Sequence, residues 1–290
     1  MMYMTSAIPV ILMLRLWTPQ AGDTHAASSK PELNSTDYGY VRALISQRQG
    51  PSPDGIFGQY LAALGGEEAL KKVTSRRIMG TVEYVGVDQH GTAPVEIQWE
   101  APDKFYAAIR APFGAIEQVV NGNEGWGSHP QTGARKLGPI ELLEARRQWS
   151  LYQPALLRDQ YTTMRYEGRA RVDDRECDVI VAESTQGKTE RFYLDVDSRL
   201  PVRLDLWEEG PEAVRAGEFY LARYYLGDYR RIDGIAVPFS VRRVRPNSEV
   251  IYTFSEVVHN IPIDSKLFLP RRQEPWSPVK DSATLSRWTF

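Results

Sequence analysis

The segment Val119-Val-Asn-Gly-Asn-Glu-Gly-Trp126-Gly-Ser-His-Pro-Gln-Thr-Gly-Ala-Arg-Lys-Leu-Gly-Pro139-Ile-Glu-Leu-Leu-Glu-Ala145 decides how this chain is read. Its two valines close one strand, Asn121-Gly122 makes a tight turn of the kind that joins hairpin strands, and Trp126 rides a short second strand. A further turn leads to Gly138-Pro139, where proline suits the first turn of a helix. Ile140, Leu143, Arg147, Trp149, Tyr152, Leu156 and Leu157 continue a bulky, mostly apolar helical stretch, which Pro154 breaks or kinks. Such a segment has to pack on something, and the flanking sequence says what.

On both sides of it the apolar period is two. Val95, Ile97 and Trp99 alternate with Glu96, Gln98 and Glu100, the pattern of a strand with one buried face. Pro102-Asp103 turns the chain, Phe105, Ala107 and Ile109 return, and Ile78 to Tyr84 and Ile116 to Val120 behave alike. After the helical stretch the alternation resumes at Tyr161 to Arg165, Gly168 to Val172, Cys177 to Val181, Phe192 to Val196 and Leu200 to Leu206. Phe219 to Leu226 is aromatic on both faces. Asp233-Gly234 predicts a hairpin, because both residues tolerate the positive φ that tight turns need, and Val237 to Val241 and Val250 to Phe254 follow. About ten strands with short antiparallel connections predict a meander, a barrel or a half-barrel. Ahead of them Phe57, Tyr60, Leu61, Leu64, Leu70 and Val73 recur at helical spacing across a Gly65-Gly66 break.

The helical stretch therefore packs on the sheet face carrying Val95, Ile97, Trp99, Phe105 and Ile109. Two outcomes stay open: the helices fill the concavity as ordinary core, or they lid a cavity lined by aromatic and aliphatic side chains. In the second case the ligand would be apolar, since small-molecule pockets are mostly apolar with a few polar groups. The residues expected to line it are Tyr84, Ile97, Trp99, Phe105, Ile109, Trp126, Leu143, Trp149 and Leu156.

At 290 residues, 42% hydrophobic and 25% charged, the chain is long enough to bury a real core. A net charge of −2 argues against a broad nucleic-acid-binding surface. One cysteine, Cys177, excludes an internal disulfide and any paired-cysteine metal or haem motif. Ala7 to Leu14 is a short apolar run followed by Thr24-His25-Ala26-Ala27, which reads as a secretory signal over residues 1–26, without a basic residue ahead of the run. It is shorter than the roughly 20 residues a membrane-spanning helix needs. Residues 27–55 read as linker with a short helix at Tyr38 to Gln47, residues 56–270 as the folded domain, and 271–290 as a flexible tail, loosely held already from Pro262.

The turns carry a family likeness. Val119-Val-Asn-Gly-Asn-Glu-Gly-Trp126, Phe192-Tyr-Leu-Asp-Val-Asp-Ser-Arg-Leu-Pro-Val-Arg203 and Tyr229-Arg-Arg-Ile-Asp-Gly-Ile-Ala-Val-Pro238 resemble the turn and strand patterns of the LolA/LolB-like superfamily. These are envelope proteins that carry outer-membrane lipoproteins. The likeness spans Ile56 to Pro270. It implies an α+β fold: a strongly curved antiparallel sheet, a half-open barrel, with an N-terminal helix and a mid-chain helical plug or lid on the concave side. It further implies a non-catalytic, exported, periplasmic monomer whose partners are a lipid or lipoprotein acyl chain and a membrane-associated envelope protein, with no cofactor and no nucleic acid. The alternative is an envelope interaction module with a filled core.

Catalytic constellations are not apparent. The four histidines, His25, His90, His129 and His259, are scattered with no zinc-binding spacing. Ser128-His129 lacks the Gly-x-Ser-x-Gly context, and sequence neighbours seldom meet in a triad. Asp195, Asp197 and Ser198 lack the rest of a calcium loop. Cys177 alternates with Val179 and Val181, as a buried structural thiol would. Arg146-Arg147 and Arg242-Arg243-Val-Arg245 are basic clusters, either solvated faces or docking points for an acidic partner or anionic headgroups.

Overall fold

The structure, a computed structural model, describes residues 51–86, 90–130, 132–139, 141, 142, 145, 146, 161–184, 187–209, 219–246 and 248–270. The expected signal, the Tyr38 to Gln47 helix and the 271–290 tail lie outside these residues.

The domain opens with helix α1, Pro53–Leu64, capped by Ser52, whose side chain accepts a hydrogen bond from the Gly55 amide at 3.1 Å, and started by proline. Ile56, Phe57, Tyr60 and Leu64 form its buried stripe. Gly65 and Gly66 end it, donating to Ala62 and Leu61, and the short helix α2, Glu67–Lys71, follows. The helix, break and further turn read from the sequence are therefore present.

Thirteen strands among the described residues form one antiparallel sheet: β1 Ser75–Gly86, β2 His90–Glu100, β3 Lys104–Ala111, β4 Gly114–Asn121, β5 Glu124–His129, β6 Gly133–Lys136, β7 Tyr161–Val172, β8 Arg175–Ser184, β9 Thr189–Asp195, β10 Pro201–Glu209, β11 Phe219–Ile232, β12 Ile235–Arg245 and β13 Ser248–His259. Their order is β6-β5-β4-β3-β2-β1-β13-β12-β11-β10-β9-β8-β7. It is a meander at both ends, stitched at the centre where β13 returns to pair with β1. The sheet is open, with β6 and β7 at its edges.

A twisted open sheet of more than about ten strands has to curl or split, and this one curls. Helix α1 packs against both β12 and β7. These strands are five positions apart, about 24 Å in a flat sheet. On the same side Phe57 meets the Phe192 ring edge-on, with centroids 5.9 Å apart. The face carrying Phe192 is therefore the concave one.

Three expectations need correction. The strand number among the described residues is thirteen, not about ten, and β6, only four residues long and without apolar alternation, is a strand that nothing in the sequence announces. Tyr161 to Arg165 and Gly168 to Val172 are one strand, β7, whose register against β8 shifts between Tyr166 and Gly168, where Gly168 has φ +120°. The chain beyond Pro262 is held: a 3-10 turn at Ser265–Phe268 buries Phe268, and Lys104 lies 5.5 Å above its ring. Of the expected helical lid, Pro139, Glu141, Leu142, Ala145 and Arg146 have helical backbone. Leu142 donates its amide to Gly138 at 2.9 Å and packs on Gly125 of β5. The rest of that segment lies outside the described residues. No helix among the described residues is long and apolar enough to cross a membrane.

Candidate functional site

Strand register fixes which side chains share the concave face. Ile78 pairs with Ile97 and Arg76 with Trp99. Trp99 pairs with Phe105, Ile97 with Ala107 and Val95 with Ile109. Across β13 the same row continues through Val257, Phe254 and Tyr252, then Val241 and Leu226, Tyr224 and Leu204, Phe192 and Ile180. All are buried.

Of the residues expected to line a pocket, Ile97, Trp99, Phe105 and Ile109 stand side by side on this face. Tyr84 shares the face but sits near the other end of β1, opposite Gly91, eight residues or about 26 Å from the Arg76–Trp99 pair. Trp126 does not join them. It pairs with Val119, which pairs with Tyr106, the pleat neighbour of Phe105, so its ring is on the convex side. Leu143, Trp149 and Leu156 lie outside the described residues.

The concave face is not uniformly apolar. Along β12 the inward positions run Ile235, Val237, Phe239, Val241, Arg243, Arg245. The two arginines converge on Glu208 of β10, buried to 2% exposure. Arg245 Nε donates to Glu208 Oε2 at 2.7 Å and its Nη2 reaches the same oxygen, while Arg243 Nη1 stands 3.8 Å away. The basic cluster read from the sequence is thus split by the pleat. Arg242 faces out, its guanidinium 4.3 Å from the Tyr225 ring centroid, and Arg243 and Arg245 face in. No local sequence rule links them to Glu208, which lies 37 positions before Arg245.

Around this pair sit three tyrosines. Tyr224 is directly opposite Arg243, and Tyr252, opposite Val241, feels the charges of Arg243, Glu208 and Arg245. Burial drives the Tyr252 hydroxyl far above its ordinary range. The Tyr84 ring folds back over Gly86, where a β-carbon would fall 2.8 Å from its hydroxyl. Desolvation raises the Tyr84 hydroxyl, and Arg243, Arg245 and a hydrogen bond with Ser248 oppose the shift. At the other end of the face Arg76 pairs across the sheet with His259, whose Nδ1 is 3.0 Å from Asp233.

Ser128 and His129 are consecutive on β5 and point to opposite faces, so they form no catalytic pair. Among the described residues there is no grouping of three or more His, Cys, Asp or Glu side chains able to hold a metal. Asp195 caps its own turn through the Asp197 and Ser198 amides at 3.1 and 2.6 Å. A groove of about 450 Å³ beside Arg169, Ala170, Arg171, Asp174 and Glu176 is formed by the β7–β8 hairpin and is charged.

No family model and no curated protein is matched by the chain. Solved structures are. The fold is similar to that of a DUF1329 family protein from Desulfovibrio piger, with TM-score 0.53 and 12% identity over 74% of this chain and 95% of that one. It is similar also to a putative outer membrane lipoprotein-sorting protein domain from Vibrio parahaemolyticus, with TM-score 0.52 and 11% identity over 74% and 95%. The chain thus has, in divergent form, the fold that its turn sequences resemble.

Proposed function

We propose that the chain is a non-catalytic cell-envelope protein that holds an apolar ligand, an acyl chain of a lipid or a lipidated protein, between the concave face of its sheet and the helices on that side. The observation that carries this reading is the apolar middle of the concave face, which runs from Phe105, Ile97 and Ile78 through Phe254, Val241 and Leu226 to Phe192 and Ile180, with Arg76 and Arg243 toward its two ends. An open sheet with a wide apolar concavity offers a chain-like ligand what water cannot, at roughly 25 cal/mol per Å² of apolar surface removed from solvent. Ile97, Trp99, Phe105, Ile109 and Tyr84 are its proposed wall, and Leu143, Trp149 and Leu156 the proposed cover. The shared fold of a lipoprotein-sorting domain supports the same reading. The first 26 residues would export the chain, and a membrane-associated envelope protein would be its partner.

Extraction of the purified protein with organic solvent, followed by mass spectrometry, tests the proposal. Acyl-bearing material in stoichiometric amount is the expected result. An empty protein with no affinity for an uncharged acyl probe such as dodecanol would count against it.

A second reading, an interaction module with a filled core, is favoured by one observation: Ile97, Trp99 and Phe105 are almost completely buried by the protein's own residues. Trp99→Ser separates the two. It would weaken ligand uptake in a binding concavity, and would only lower stability in a filled core.

A further inference from the structure

We propose that the concave face ends in a receptor for an anionic group, a carboxylate or phosphate at the head of the bound amphiphile, formed by Arg243, Arg245, Tyr84, Tyr224 and Tyr252. This rests on the apolar-ligand reading above and names the chemical class of that ligand.

The middle of the face is apolar and charge lies at both ends, Arg76 beside His259 at one and Arg243 with Arg245 at the other. On β12 the inward side chains are Ile235, Val237, Phe239 and Val241, and then two arginines. On β1 the facing row is Ile78, Gly80, Val82 and then Tyr84. An acyl chain laid on the apolar middle with its head toward the C-terminal end of β12 meets Arg243 and Arg245 there.

The two hydroxyls nearest that point are the second observation. Tyr224 and Tyr252 are each 1% exposed, and neither hydroxyl has a hydrogen-bond partner among the described residues. Buried polar groups are almost always satisfied, and an unmet one is costly enough to call for a reason. Both lie on the concave face, on the two strands that flank β12, Tyr224 directly across from Arg243 and Tyr252 across from Val241, one pleat along. An oxyanion placed between them would accept from both hydroxyls.

Arginine suits the same task. The planar guanidinium presents several donors in a fork that matches a carboxylate or a phosphate. Glu208 holds both side chains in place through one oxygen, so it orients the forks and keeps a buried positive pair tolerable. Tyr84, folded over Gly86 and close enough to feel both guanidiniums, closes the side toward β1.

Calorimetric titration of the full chain with dodecanoate, dodecyl phosphate, dodecanol and inorganic phosphate tests this. The two amphiphilic anions are expected to bind at least about tenfold more tightly than dodecanol, the factor one or two charge-assisted hydrogen bonds supply. The double variant Tyr224→Phe/Tyr252→Phe removes two hydroxyls that hold no bond among the described residues, so it keeps its melting temperature. It should lose most of the preference for the anions and retain its affinity for dodecanol. Equal binding of dodecanoate and dodecanol, or an unchanged preference in the double variant, overturns the anion receptor and leaves the apolar-ligand reading standing. Inorganic phosphate binding as tightly as dodecyl phosphate overturns the assignment to an amphiphile. Failure of all three dodecyl ligands to bind defeats the apolar-ligand reading and this proposal with it.

Discussion

Gly65, just past the end of α1, lies against Gly234 of the β11–β12 hairpin, so closely that a β-carbon at Gly65 would fall 2.5 Å from the Gly234 carbonyl oxygen. The contact pins the helix to the hairpin at the end of the concave face that carries Arg76 and His259. Gly65 also has φ +130°, a conformation that disfavours any side chain. Gly65→Ala is therefore expected to cost about 2–4 kcal/mol, the sum of backbone strain and overpacking. Gly66, at φ +85° with open space around it, carries only the strain, and Gly66→Ala should cost about 1–2 kcal/mol. Urea unfolding of the two variants measures the difference.

Trp99 and Trp126 both looked like pocket residues in the sequence, and the register puts them on opposite faces. Trp99 is 2% exposed on the concave side, and Trp99→Ala should cost about 3–5 kcal/mol together with affinity for dodecanol. Trp126 is half-buried on the convex side. Trp126→Ala should leave dodecanol affinity unchanged and lower the unfolding free energy by less than the Trp99 change. A loss of binding in the Trp126 variant would show the pocket to lie elsewhere.

Why one tryptophan was legible and the other was not is a matter of range. Alternation within β2 shows that Val95, Ile97 and Trp99 share a face, because the pleat has a period of two. The turn at Asp233-Gly234 was equally plain, and both residues do adopt positive φ, 49° and 81°. The turn after β4 falls one residue later than read: Asn121 and Glu124 pair across Gly122-Asn123, with φ +60° at Gly122. Which face of one strand continues which face of the next depends on register, and a one-residue difference reverses it. Trp126 failed at that step. The Arg243–Arg245–Glu208 group failed for the same reason, since its members meet only after β10, β11 and β12 are aligned. Phe268 was hidden by its polar, proline-rich surroundings, which carry no periodic signal.

Arg203 on the convex face sits between two rings, 4.6 Å from the Tyr193 centroid and 5.8 Å from that of Tyr225. It also makes a two-pronged bond to Asp205, with both contacts at 2.6 Å. A lysine keeps the charge but offers neither the planar stack nor the fork. Arg203→Lys should cost about 1–2 kcal/mol and leave ligand binding untouched, because Arg203 is on the opposite face. Thermal unfolding and a dodecanol titration check the two halves.

Cys177 is fully buried beside Val172 and Val202. Desolvation, with Asp195 adding to it, raises its thiol to about 11. The thiolate is the reactive form, so the folded protein at pH 8 should react with a disulfide reagent at least about a hundredfold more slowly than the unfolded chain. Timed absorbance with and without urea gives the ratio, and a fast reaction in native buffer would contradict the burial.

His259 links stability to pH. Burial, aided by the nearby Arg76 charge, holds its imidazole down at about 4, and Asp233 opposes the shift. In the unfolded chain the ring titrates near 6.5. Since the folded value is the lower one, the unfolded state binds the proton first as pH falls. The neutral His259 therefore contributes its full share of stability above about pH 6.5, and that share is lost progressively as pH drops through about 4, amounting to up to about 3 kcal/mol. Replacing the ring by an amide, His259→Gln, removes the titration. The expected outcome is that the unfolding free energy of the wild type, measured in urea between pH 7 and pH 4, falls more steeply than that of the variant. The gap should open below pH 6.5 and not above it, and parallel curves across that window would mean that His259 is protonated as readily in the folded sheet as in water.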